Sequence, residues 1–192
     1  MATKKMDRRV RKTRALLLDG LIQLMEQKDI QDISVKELSD LVDINRGTFY
    51  LHYSDIYDML DKVEDELFVE FNNILDRDMT EKGHNDSMNT TLHDIFSFLE
   101  KHRDIARVML GPHGDLAFTN RLKELVKNRM QHTLTAYANT DYFEYYSPFI
   151  ISGFIGVIET WLQQSHPQSP EEMAELCSHM LTDGMIEKSD TP

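Results

Sequence analysis

The chain has 192 residues, 41% of them hydrophobic and 28% charged, and a single cysteine. That length bounds one compact domain or two small ones, and the composition excludes collagen-like and low-complexity chains. The lone Cys177 excludes an intrachain disulfide framework and fits a reducing, cytoplasmic compartment.

The net charge of −12 is unevenly spread. Residues 1–53 hold ten Lys and Arg against eight Asp and Glu, a net of +2, while residues 54–192 hold eleven against twenty-five, a net of −14. The first 14 residues alone carry seven basic groups against Asp7. A basic end on an acidic body is the footprint of a protein that meets a polyanion at one end only. No apolar stretch with a small-residue cleavage site follows the basic start, so a secretory signal is not expected. The near-apolar run Phe149 to Ile158 is too short to span a bilayer, so no membrane partner is expected.

In chain order, Arg8 to Gln27 sets Val10, the stem of Arg14, Leu17, Leu21 and Leu24 at helical spacing. Ser34 with Glu37 reads as a capping box opening a helix over 35–42, with Val35, Leu38 and Leu41/Val42 turned inward. Asp43 falls at a tight turn that favours a left-handed backbone, which Asp tolerates. A short helix within 44–53 follows. Ser54 or Asp55 caps a helix to about Asp78, with Ile56, Met59, Leu60, Val63, Leu67, Phe71, Ile74 and Leu75 on its apolar side. Residues 79–87 read as a polar loop. Helices are expected over about 88–101, 105–110, 115–138, 142–164 and 171–186, with Gly111-Pro112-His113-Gly114 as a breaker and 165–170 as a loop. Glu171 and Glu172 complement the dipole of the last helix. The fold class is therefore all-α, with about nine helices.

The segment Ile44-Asn45-Arg46-Gly47-Thr48-Phe49-Tyr50-Leu51-His52-Tyr53 is the most specific of these. Asn45 suits a helix N-cap, and Arg46, Gly47 and Thr48 occupy the first turn, where a helix end meets an anion or base edge. Phe49 and Tyr53, four apart, share a core face. Tyr50 and His52 carry polar tips elsewhere. This segment resembles the DNA-binding domain of the TetR family of bacterial transcription regulators. Further along, Leu110 to Phe118 and Ile151 to Leu162 resemble one TetR-like C-terminal subfamily, which includes the co-activator of dihydroxyacetone kinase operons.

The resemblance implies a three-helix helix-turn-helix domain over 1–53 and a helical effector-binding and dimerisation domain over 54–192. It implies that Arg8, Arg9, Arg11 and Lys12 lie near the phosphate backbone, and that Ser34, Val35 and Lys36 open the second helix against a phosphate. It further implies that Arg46 reaches a base edge, bidentate to guanine, and that Gly47 permits close approach to the groove. Thr48 meets a phosphate or a thymine methyl, Tyr50 and His52 meet phosphates, and Leu51 faces the groove. Two departures stand out. Asp43 occupies the usual turn Gly, and Ile56 replaces a common Lys at the start of the fourth helix, which removes one phosphate contact.

In the acidic body, the run around Phe149–Ile158 is apolar nearly all round, so its helix should be buried on more than one side, and Gly153 and Gly156 allow close helix approach. Phe154, Val157 and Ile158, with Met173, Leu176, Met180 and Leu181 of the last helix, are candidates for a two-fold dimer interface through a four-helix bundle. Phe96, Met109, Phe118, Met130, Tyr137, Tyr146 and Trp161 are candidate lining of an effector pocket. The histidines show no tight metal spacing, and no nucleophile–base motif or phosphate-cradling loop occurs. No metal, no cofactor and no enzymatic activity are expected. The expectation is a homodimeric repressor that binds a palindromic double-stranded operator and is released by a small-molecule effector. The alternative is a co-activator that works through a protein partner.

Overall fold

A computed structural model describes residues 8–77, 84–133 and 142–183. Among the described residues there are nine α-helices, one 3-10 turn and no strand: α1 (Arg8–Met25), the turn Ile30–Asp32, α2 (Val35–Leu41), α3 (Arg46–Tyr50), α4 (Ile56–Arg77), α5 (His84–Lys101), α6 (Arg103–Met109), α7 (Leu116–Thr133), α8 (Phe143–Gln163) and α9 (Pro170–Asp183). The chain divides into two compact units, Met1–Glu66 with Val108–Asp115, and Leu67–Arg107 with Leu116–Pro192. Helix α4 runs from the first into the second.

In the first unit Leu17, Leu21, Leu38, Phe49 and Met59 are fully buried. Helices α1 and α2 meet at Gly20, where a Cβ would lie 2.4 Å from Val42 Cγ1 and 2.9 Å from Leu38 Cδ1. Ser34 caps α2, its Oγ accepting from Glu37 N–H at 3.2 Å. The return half of the expected capping box is not the contact Glu37 makes. Its carboxylate takes Lys28 Nζ at 2.6 Å through both oxygens, tying the end of α1 to α2. Asp43 has the left-handed backbone expected of it, φ 53°. Leu41 is 47% exposed rather than fully inward; its Cδ2 would lie 3.8 Å from a Cβ at Gly20, behind the closer Val42 and Leu38.

In the second unit α5 lies along α9 and α7 against α8. Phe96 is fully buried and meets Trp161 edge-on at 5.3 Å between ring centroids, while Trp161 Nε1 donates to the Gln168 carbonyl at 2.9 Å. Arg103 closes the end of α8 by donating to the carbonyls of Trp161, Leu162 and Gln164 at 3.0, 3.0 and 2.9 Å, its guanidinium 4.9 Å from the Trp161 ring centroid. Carbonyls at a helix C-terminus are short of intrahelical donors, and Arg103 supplements the one bond that Gln164 N–H makes to the Trp161 carbonyl at 3.2 Å. Helix α5 starts at His84, inside the stretch expected to be a loop, since Asn85, Asp86 and Ser87 are as much at home in a first helical turn as in a loop. Helix α9 opens with a reciprocal capping box that the sequence reading passed over. Glu172 N–H donates to Ser169 Oγ at 3.3 Å and Ser169 N–H donates to Glu172 Oε2 at 2.8 Å, with Pro170 at the first helical position.

Candidate nucleic-acid interface

Helix α3 is five residues long, so its own hydrogen bonds do not stabilise it and its neighbours must. Asn45 starts it, its side-chain oxygen accepting from Gly47 N–H at 2.7 Å. A Cβ on Gly47 would come within 3.1 Å of that oxygen, so the glycine leaves room for the cap as well as for anything approaching from outside. Phe49 is fully buried and Tyr53 nearly so, their rings 5.6 Å apart, and together they form the inner face. On the other side Arg46 and Gly47 are exposed, Tyr50 is 57% exposed and Leu51 80%. Thr48 and His52 are half-buried at the margin. Burying Phe49 and Tyr53 thus presents a guanidinium, a hydroxyl and an apolar side chain on one short convex ridge.

All of the residues expected to meet DNA, and the N-cap Asn45, fall in the first compact unit. Arg11, Lys12, Ser34, Lys36 and Asn45 are exposed, and Val35 is half-buried at the start of α2. Among the described residues Arg11, Lys12, Lys36 and Arg46 have no carboxylate partner. Three other cations of the unit are committed internally. Lys28 holds Glu37, Arg14 Nη2 meets Glu66 at 2.6 Å, and Lys62 Nζ meets Asp58 at 2.8 Å. The Lys62 hydrogen bond, then the one from Ser54 N–H, keeps the Asp58 carboxyl below its ordinary 3.8. The Lys28–Glu37 and Arg14–Glu66 pairs were not foreseen from sequence, because each depends on which segments lie side by side, whereas Lys62 and Asp58 are an i,i+4 pair within α4 that spacing alone could have found. His113 Nδ1, at 2.7 Å from Asp29 Oδ1, likewise ties the Gly111–Gly114 loop to the chain just after α1.

The candidate effector residues do not gather round one opening. Phe96 and Trp161 pack on each other, and Phe118 packs on Phe68 at 5.1 Å. Met109 is buried but belongs to the first unit, Met130 is half-buried, and Tyr146 is exposed. Tyr137 lies outside the described residues. A groove of about 490 Å³ between α5 and α9 is lined instead mainly by polar residues, Asn89, Thr90, His93, Glu171, Glu175 and His179 among others, and by none of the seven candidates. His93 Nε2 sits 3.2 Å from Glu171 Oε1 there.

Of the candidate dimer residues, Ile158 and Met173 are buried in their own protomer, and Phe154, Val157 and Leu181 are half-buried. Leu176 and Met180 are exposed. Exposed on α8 are Tyr145, Phe149 at 77%, and Gly153. A Cβ at Gly153 or Gly156 would meet nothing within 4 Å. Among the described residues no group of three His, Cys, Asp or Glu side chains is placed to hold a metal ion, and no helix is long and apolar enough to cross a membrane.

Residues 86–183, just over half of the chain, match the TetR-type family described as the transcriptional regulator C-terminal region. The chain belongs to the TetR family of transcriptional regulators. This TetR-family regulator is 24% identical over 170 residues to the uncharacterized HTH-type transcriptional regulator YxbF of Bacillus subtilis (strain 168), a match that covers 84% of this chain and 42% of YxbF. It therefore spans less than half the length of that curated relative. Its fold is shared with the TetR transcriptional regulator of Streptococcus agalactiae 2603V, at 21% identity and a TM-score of 0.60, covering 91% of this chain and 96% of that one. The fold is also shared with FadR of Bacillus subtilis in complex with stearoyl-CoA, at 14% identity and a TM-score of 0.65, covering 88% and 98%. The co-activator likeness noted in the C-terminal sequence is not part of these matches.

Proposed function

We propose that this TetR-family regulator is a repressor that reads a palindromic DNA operator as a homodimer, with residues 1–53 reading DNA and 54–192 serving dimerisation and effector response. The observation that carries the reading is α3, whose exposed side holds Arg46, Tyr50 and Leu51 while Phe49 and Tyr53 anchor it from within. Arg46 supplies the base contact. Tyr50, His52, Thr48 and the N–H groups at Ser34, Val35 and Lys36 supply phosphate contacts, and Arg11 and Lys12 add charge. The uncommitted cations of this unit, on a chain of net charge −12, support a contact with a polyanion confined to one end.

Dimerisation uses the outer sides of α8 and α9. Phe149, Leu176 and Met180 offer apolar area there, and Gly153 and Gly156 are notches that nothing in the protomer fills. A two-fold axis through this face repeats the recognition helix, so the operator repeats its half-site. A small-molecule effector binds the second unit by parting the packed rings of Phe96, Trp161 and Phe118 beside Met130; that FadR, which shares the fold, is in complex with stearoyl-CoA supports this reading. The effector acts by binding more tightly to an arrangement in which the two recognition helices no longer match the half-site spacing.

Selection of bound duplexes from a random pool, at two salt concentrations, tests the reading. An enriched palindrome with half-sites about one helical turn or slightly more apart supports it. Salt-sensitive binding without enrichment overturns it, and points to the alternative of a co-activator that needs a protein partner.

A further inference from the structure

Phe49 alone does not fix how far a five-residue helix is rotated about its axis. The second anchor is Tyr53, 3% exposed and gripped from two helices. From α1, Arg14 Nε donates to the Tyr53 hydroxyl at 2.9 Å, its guanidinium carbon 5.8 Å from the ring centroid, while Nη2 is held by Glu66 at 2.6 Å. From α4, Lys62 Nζ lies 5.4 Å from the same ring, donates to Asp58 Oδ2 at 2.8 Å and reaches the His52 carbonyl at 3.3 Å. That carbonyl lies just past the C-terminal end of α3, where a cation is favoured.

We propose that Arg14 and Lys62 are positioning residues for DNA reading, which set the rotation of α3 by clasping Tyr53 and the His52 carbonyl. The inference rests on the assignment of α3 as the reading element. Side-chain tips lie about 5–6 Å from a helix axis, so a rotation of about 20° carries the Arg46 and Tyr50 ends roughly 2 Å, more than a bidentate hydrogen bond tolerates. Lys62 is half-exposed and basic, which makes it look like a phosphate contact, yet its contacts are with its own chain: Asp58, the His52 carbonyl and the Tyr53 ring.

Tyr53→Phe removes the hydroxyl and keeps the ring; Lys62→Met keeps the stem and removes the charge. Two measurements apply to each full-length variant. The first is affinity for the duplex that the wild type enriches, relative to a scrambled duplex, across a salt series. The second is hydrogen exchange of the His52 and Tyr53 amides in the free protein. The clasp predicts that the specific-to-scrambled ratio falls by about threefold to tenfold in either variant, that the salt slope of Lys62→Met is unchanged, and that both amides exchange faster at a melting temperature near that of the wild type. Lys62→Arg restores the ratio. An unchanged ratio, or a slope reduced by about one in Lys62→Met as expected for a lost phosphate contact, overturns the proposal. If the wild type enriches no duplex, the DNA-reading assignment fails first. Exchange then decides the clasp on its own, and unchanged amides refute it.

Discussion

At Gly20 the crossing of α1 and α2 leaves no space for even a methyl group, because the atoms in the way belong to Val42, a short stiff side chain, and Leu38. Gly20→Ala should destabilise the first unit by about 1–3 kcal/mol, the usual cost of overpacking, visible as a lower denaturation midpoint. Cys177 is the other informative single position. Burial against its neighbours pushes its thiol up to about 11, so little thiolate exists near neutral pH. A disulfide reagent at pH 8 should label Cys177 only after denaturation; fast labelling of the native protein would contradict its placement. Much of the residue-scale design of α3 was legible in the sequence, since an N-cap Asn, a first-turn glycine and aromatics four apart are local signals. The bond from Arg14 to Tyr53 joins residues 39 apart and was not legible, nor was the pairing of Lys28 with Glu37. Gly20 did leave a trace, a glycine within an otherwise strong helical pattern, which often marks a close crossing.

At the scale of elements, hydrophobic periodicity located the helices well and their ends less well. The start of α5 was hidden because Asn85, Asp86 and Ser87 suit loops and first turns alike. The start of α9 was signalled by Ser169-Pro170-Glu171-Glu172, whose capping box was in plain view. Between elements, the contact of α4 with α5 is electrostatic at one point. Glu70 takes Lys101 at 2.6 Å and His102 at 3.0 Å, and Lys101 chiefly, His102 less so, holds its carboxyl below the ordinary 4.5. A folded-state value below the unfolded one means that this stabilisation is present above about pH 4.5 and is lost as pH falls through the depressed value. Glu70→Gln should therefore lower stability at neutral pH by a small amount, since the pair is partly exposed. It should also flatten the loss of melting temperature below pH 4.5. Melting curves that run parallel to those of the wild type across the acid range would show that Glu70 contributes nothing.

For the whole molecule, the proposed two-fold arrangement bears on whether one short helix such as α3 suffices. A single α3 covers only a few bases, so specificity at genomic scale needs two half-sites on one rigid spacing. The candidate dimer residues fall on α8 and α9, but periodicity did not tell which side of a nearly all-apolar run faces its own core. Ile158 and Met173 proved to face inward, whereas Phe149, Gly153, Leu176 and Met180 face out. Gly153→Glu, placed in open space, should leave the protomer folded and shift sedimentation from dimer to monomer, with operator affinity lost in parallel. Met173→Glu, placed in the core, should unfold the second unit instead. A Gly153→Glu variant that stays dimeric would move the interface elsewhere.

The central claim is that the outer side of α3 reads DNA. Its most direct measurement is titration of the wild-type-enriched duplex, and of every single-base variant of one half-site, with Arg46→Ala and Tyr50→Phe. The account predicts that Arg46→Ala loses discrimination at one base pair per half-site, at a cost of about 1–3 kcal/mol, and that Tyr50→Phe weakens all sequences alike by about 0.5–1.5 kcal/mol. Wild-type affinity and an unchanged sequence profile in both variants would contradict it.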